Sequence, residues 1–121
     1  MTILALHHVQ LAMPEGREAE ARAFYAGLLG LGEETKPEHL ARRGGCWFAA
    51  GETRLHLGVE TDFRPARKAH PALLVDDLFA LVTRIERAGF TVMEDQSLEG
   101  FERRYVSDPF GNRIELMQRA G

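Results

Sequence analysis

Apolar and polar residues alternate along residues 4–13 (Leu-Ala-Leu-His-His-Val-Gln-Leu-Ala-Met), a period of two that predicts a first strand ended by Pro14 and Gly16. The period then changes. Over about 17–28, Ala21, Phe24, Tyr25 and Leu28 fall at helical spacing among charges, and Gly30 and Gly32 follow as a helix end. Residues 33–43 are polar without a clear period and leave room for one short strand and a loop. Alternation returns in Gly44–Ala50 and Thr53–Val59, which predict a hairpin turning at Gly51-Glu52. The polar run 60–68, interrupted by Pro65, reads as a linker.

The same order of patterns follows the linker. Ala69–Val75 predicts a strand with a histidine near its start. Asp77 is placed to cap a helix over about 77–88, with Leu78, Leu81, Val82 and Ile85 on one face and Gly89 after it. Phe90–Met93 predicts a short strand. Arg103–Ser107 and Asn112–Met117 predict a hairpin across Asp108-Pro109-Phe110-Gly111, a tight-turn sequence. Each half therefore reads strand, helix, then about three strands: module one over about 1–60, linker over about 60–68, module two over about 69–121. The pattern is a structural duplication within one domain spanning 1–121.

Side chains alternate across a strand, so parity sorts the candidate chemistry. The aliphatic faces (Val9, Leu11 and Met13; Leu73 and Val75) must meet each module's helix. The opposite faces then carry His8 and Gln10, His70, His56 between Leu55 and Leu57, and Glu115 between Ile114 and Leu116. A lone glutamate between two aliphatics is either solvent-facing or a ligand held in a cavity. The same parity puts His7 on the helix side or at the strand's edge. Three imidazoles and a carboxylate at equivalent strand positions suit a divalent ion: Zn, Fe(II), Mn, Ni or Co. Arg54 and Arg113 share faces with His56 and Glu115 and are candidate binders of an anionic substrate group. Of Arg103 and Arg104 only one can share the Glu115 face, and Arg104 is taken as the substrate-side candidate. Of Trp47 and Phe48, one walls the cleft and the other is core; Trp47 is taken as the wall.

Composition narrows the function classes. The chain has 121 residues, a net charge of −3 and a pI near 5.9, which give no reason to expect nucleic acid or an anionic membrane as partner. The N-terminus lacks a basic n-region and reads as the first strand rather than a signal peptide, which is compatible with a cytoplasmic location. A single cysteine, Cys46, excludes an intrachain disulfide, and beside Trp47 it reads as a buried structural thiol. Gly27-Leu-Leu-Gly-Leu-Gly32 is helix-end chemistry, because no strand leads into it as a dinucleotide loop requires. No serine sits in a nucleophile-elbow motif.

His8-Val-Gln-Leu, Phe24-Tyr-Ala-Gly-Leu-Leu-Gly30, His70-Pro-Ala-Leu-Leu-Val-Asp-Asp77, Ala88-Gly-Phe90 and Asp108-Pro-Phe-Gly-Asn-Arg-Ile-Glu-Leu116 resemble the vicinal oxygen chelate superfamily. That is the glyoxalase, bleomycin-resistance and ring-cleaving dioxygenase group, and the resemblance covers essentially the whole chain. It implies an α+β fold of two tandem βαβββ modules curving into a barrel-like cleft. It also implies a homodimer, with each cleft built from the first module of one subunit and the second of its partner. The resemblance further implies a metal-dependent enzyme whose ion chelates oxygens of a small-molecule substrate, as a lyase, isomerase, transferase or dioxygenase. His8, His70 and Glu115 match ligand positions used by fosfomycin-modifying transferases and ring-cleaving dioxygenases. Glyoxalase I has a carboxylate where this chain has His56, so His56 is open to three roles: a fourth ligand, a catalytic acid/base, or a lining residue. The alternative is a non-catalytic protein that sequesters a small molecule, although such members generally lack the metal set.

Overall fold

The computed structural model describes residues 1–121 and divides into two compact units, Met1–Arg64 and Pro65–Gly121. The division falls inside the polar linker. No helix is long and apolar enough to cross a membrane.

The first unit contains β1 (Val9–Met13), α1 (Glu18–Ala21) running on as a π-helical segment (Arg22–Leu28), β2 (Gly32–Glu34), α2 (Glu38–Ala41), β3 (Cys46–Ala50) and β4 (Thr53–Val59). Its four strands are ordered β1-β4-β3-β2, with β1 parallel to β4 and the other pairs antiparallel. Leu11, Met13, Phe48, Leu55 and Leu57 are buried with Phe24 and Tyr25 of the helix, whose Tyr25 ring stacks on Phe48 at 5.5 Å. Parity thus puts the aliphatics on the helix side, as the alternation predicts. The entry to β3 depends on Gly45. Its φ is +82°, and a Cβ there would lie 2.1 Å from the Leu57 carbonyl oxygen, so any side chain would drive β3 off β4.

The second unit repeats the plan with β5 (Ala72–Leu74), α3 (Leu78–Arg87), β6 (Val92–Met93), β7 (Phe101–Ser107) and β8 (Arg113–Arg119), ordered β5-β8-β7-β6. Asp77 caps α3, its carboxylate accepting from the Ala80 N–H at 3.0 Å. Leu78, Leu81 and Ile85 bury one face of the helix, and Ile114 and Leu116 are wholly buried. The Asp108 turn fixes the register of β8. One Asp108 oxygen accepts from the Phe110 and Asn112 N–H groups at 2.9 and 2.8 Å, and the other accepts from the Asn112 amide at 3.0 Å. A one-residue slip here would exchange Glu115 for Ile114 on the open face.

Several boundaries differ from the alternation pattern; β7 begins at Phe101 rather than Arg103, and β8 runs on to Arg119. β1 starts at Val9, not Leu4, and Met1–His8 are exposed. The register explains this: Val9 pairs with Leu55, so Leu6 would fall on the turn before Thr53, where β4 has no strand to offer. β5 begins at Ala72, because Pro71 has no N–H to give a ladder. The polar stretch 33–43 holds α2, one turn long after Pro37, too short to leave a periodic signature.

Candidate functional site

Each unit presents a cluster of polar and aromatic side chains on the face of its sheet turned away from the buried aliphatics. In the first, β4 sets His56 between two neighbours in register: Gln10 of β1 and Trp47 of β3. The rings form a ladder. Trp47 and His56 stack with centroids 4.4 Å apart and planes 9° apart, and His56 and His8 follow at 4.3 Å and 17°. Lys36 places its ammonium 5.9 Å above the Trp47 ring. Gly58 leaves room for Gln10, since a Cβ there would lie 2.5 Å from its amide nitrogen. Around the ladder opens a cleft of about 640 Å³, lined by His8, Gln10, Lys36, Trp47, Arg54 and His56 among others. His56 is 5% exposed, and burial lowers its pKa, with the neighbouring His8 adding to the effect.

His7 departs from the parity expectation. Because the strand starts only at Val9, His7 is free of alternation and also lines this cleft, its Nδ1 3.0 Å from His8 Nδ1. Phe48, the neighbour of Trp47, is fully buried core.

In the second unit β8 sets Glu115 opposite Tyr105 of β7 and Ala72 of β5. Glu115 is 5% exposed. Its Oε1 lies 2.8 Å from His70 Nε2, and its Oε2 lies 3.4 Å from Arg103 Nη1. Tyr105 hydrogen-bonds to the same carboxylate. Burial pushes the Glu115 pKa up, but the hydrogen bonds from His70, Tyr105 and Arg103 outweigh it and hold the carboxyl below its ordinary range. Burial, and then Glu115, push the Tyr105 phenol the other way. Arg113 places its guanidinium carbon over the Tyr105 ring, 3.9 Å from the centroid, and reaches Asp95 at 3.6 Å.

The arginine beside Glu115 is Arg103 and not Arg104. Arg104 pairs across with Leu116 on the helix side of the sheet and reaches Glu94 at 3.1 Å. The turn itself carried the signal. Ser107 opposes Arg113, so odd residues of β7 share a face with odd residues of β8. The same register puts Tyr105 on the Glu115 face, although alternation alone does not mark it as a site residue.

The His70–Glu115 contact has a chemical consequence. His70 Nδ1 lies 2.8 Å from the Lys68 carbonyl oxygen, which can only accept, so Nδ1 carries a proton. Nε2 and the Glu115 carboxylate then face each other at 2.8 Å, the distance of a charge-assisted hydrogen bond. Adjacent donors stand about 2.9 Å apart on an octahedral ion and about 3.3 Å on a tetrahedral one, so the pair could turn onto a six-coordinate ion with little movement. Each cluster holds two donors of the expected set, His8 with His56 and His70 with Glu115, and no group of three or more His, Cys, Asp or Glu able to hold a metal is gathered in the chain.

A sequence profile of the glyoxalase/bleomycin resistance protein/dioxygenase superfamily matches residues 5–116. The chain belongs to this superfamily. A glyoxalase family protein from Bacillus anthracis is 46% identical, with a TM-score of 0.94 over 99% of this chain and 98% of that one. Two more distant superfamily-like structures share the fold alone. An antibiotic binding protein from Streptomyces is 24% identical, with a TM-score of 0.73 over 98% of this chain and 100% of that one. A genomically encoded fosfomycin resistance protein from Listeria monocytogenes is 15% identical, with a TM-score of 0.74 over 99% and 94%. No curated protein matches the chain.

Proposed function

We propose that this superfamily member is a metal-dependent enzyme acting on a small molecule through two of its oxygens, with His8, His70 and Glu115 holding the ion. The observation that carries the reading is the His70–Glu115 pair, an imidazole nitrogen and a carboxylate oxygen 2.8 Å apart, with the other ring nitrogen held from behind by the Lys68 carbonyl. A carbonyl behind a ligating imidazole is the usual outer support of a metal-bound histidine. When bound, the ion supplies Lewis-acid polarisation of substrate oxygens. Tyr105 and Arg103 hold the Glu115 carboxylate in place, and Arg113, set over Tyr105, offers a guanidinium to an anionic substrate group.

Each unit supplies only part of this set, and the reading takes two copies of the chain to complete it. Exposed Ile3, Leu4, Leu6 and Leu74 offer apolar surface for such an association.

The test is metal analysis of protein purified without a histidine tag and exposed in turn to Zn, Mn, Co, Ni and Fe(II). The reading expects one ion per chain, lost in His70→Ala and Glu115→Ala. A native protein that takes up no stoichiometric ion refutes it. Oxygen consumption with Fe(II) and a catechol would identify a dioxygenase, and metal-dependent exchange of an α-proton with solvent an isomerase.

A second reading, sequestration without turnover, is favoured by the cleft of about 640 Å³ walled by stacked rings. It predicts tight ligand binding that survives His70→Ala and Glu115→Ala.

A further inference from the structure

Four side chains of this chain stand at candidate donor positions, but His56 differs from His70 in every respect that matters to a metal. We infer that His56 is not a ligand. It is a positioning residue that holds Trp47 flat as the wall of the cleft, and the ion is left to three donors. The inference rests on the metal reading above.

Ring geometry is the first argument. An imidazole binds a metal through a lone pair in its own plane, at about 2 Å. The His8 and His56 planes are 17° apart, with centroids 4.3 Å apart. Such planes meet only on the order of 10 Å away, well beyond a metal–nitrogen bond. The two rings cannot serve one ion while stacked, so one of them must leave the ladder.

Mobility decides which. His56 sits inside β4, 5% exposed, with a register partner on either side and the Trp47 ring 4.4 Å away at 9°. Turning it would break that stack and open a gap in the sheet's face. His8 precedes β1, has no strand partner and is exposed, so only its stack on His56 and its contact with His7 hold it in place.

Outer support is the third argument. Ligating histidines almost always have their second ring nitrogen held by a hydrogen bond. The Lys68 carbonyl holds His70 in this way, and His8 contacts His7 through Nδ1. His56 has no hydrogen bond through either nitrogen; what fixes it is stacking on both faces. That arrangement orients a ring plane without orienting a lone pair.

Trp47 is the chain's only tryptophan, so its emission reports on this wall alone. The experiment titrates Co²⁺ into the native protein, His56→Phe, His56→Ala and His8→Ala, by calorimetry and cobalt absorption. Expected is a Co²⁺ affinity for His56→Phe within about threefold of native, against a loss of about 100-fold or more for His8→Ala. Trp47 emission should hold its native maximum in His56→Phe and shift to the red in His56→Ala, the flat ring rescuing the wall.

Nitrogen-15 spectra of the native protein's histidine rings need no variant, and cover the case in which His56→Phe fails to fold. Zn²⁺ should move ring nitrogens of His8 and His70 and leave those of His56 in place. A metal-bound shift at His56, or a loss in His56→Phe matching that in His8→Ala, overturns the inference alone. A native protein that takes up neither Co²⁺ nor Zn²⁺ overturns the metal reading and this inference with it.

Discussion

Replacing Asp108 by alanine tests the device that sets the register of β8. Its carboxylate receives three hydrogen bonds at 2.8–3.0 Å, from the Phe110 and Asn112 N–H groups and the Asn112 side-chain amide. Asp108, Phe110 and Asn112 are all buried, so the donors that lose this partner have no ready access to water. Hydrogen bonds to a charged acceptor contribute about 1.5–3 kcal/mol each, but three bonds to one group do not add in full. Asp108→Ala should therefore cost about 3–5 kcal/mol, a large share of a typical domain's stability. For a chain of this size that corresponds to a fall in Tm of roughly 10–20 °C. Urea unfolding and calorimetry measure both quantities. Asp108→Asn is the control. It keeps one oxygen for the two N–H groups but sets an amide against the Asn112 amide, so it should lose roughly half as much. A cost for Asp108→Ala below about 1 kcal/mol, or equal losses for the two variants, would refute the reasoning.

Three further outcomes follow from the geometry. Gly45→Ala should cost more than about 2 kcal/mol in urea unfolding, since the added carbon meets the Leu57 carbonyl at 2.1 Å in backbone already at positive φ. Glu18 accepts from the Gly45 N–H at 2.9 Å, and that bond holds its carboxyl below the ordinary range. A lowered pKa means that Glu18 contributes stability fully above the ordinary glutamate value of about 4.3, lost as pH falls through the lower folded value; the native-minus-Glu18→Gln difference in urea midpoint should shrink over that window. Tyr105→Phe removes a hydroxyl from both Arg103 and Glu115, and should destabilise by about 1 kcal/mol in thermal melts while raising the Glu115 pKa followed by carbon-13 titration.

Much of this architecture was legible because parity is a strong constraint. Ile114 and Leu116 are wholly buried while Glu115 between them faces the opposite side, and the Leu55-His56-Leu57 run behaves in the same way. The hairpin at Gly51-Glu52 and the Asp77 cap also followed from local chemistry. What the pattern missed depends on partners distant in the chain. The first strand looked long because Leu4 and Leu6 alternate correctly, but a strand exists only where β4 runs beside it, and β4 begins at Thr53. Arg103 and Arg104 are adjacent and chemically alike; only the pairing of Ser107 with Arg113 says which shares the Glu115 face. The stacking of His8, His56 and Trp47 depends on side-chain rotation as well as on strand parity, and alternation carries no information about rotation.

The π-helical segment Arg22–Leu28 bears on how the two halves are related. Its wider turn, closed by the Leu29 N–H on the Phe24 carbonyl five residues back, makes a hydrogen-bonded ring one residue longer than that of an α-helix. The adjacent rings Phe24 and Tyr25 both reach the core there. The α-helical α3 carries no such turn. The halves are thus equivalent in topology but unequal in length within their helices, and a residue-by-residue alignment of one half on the other loses register at this turn. A single-residue deletion among residues 22–28 would restore the common length, at the expense of one of the two rings.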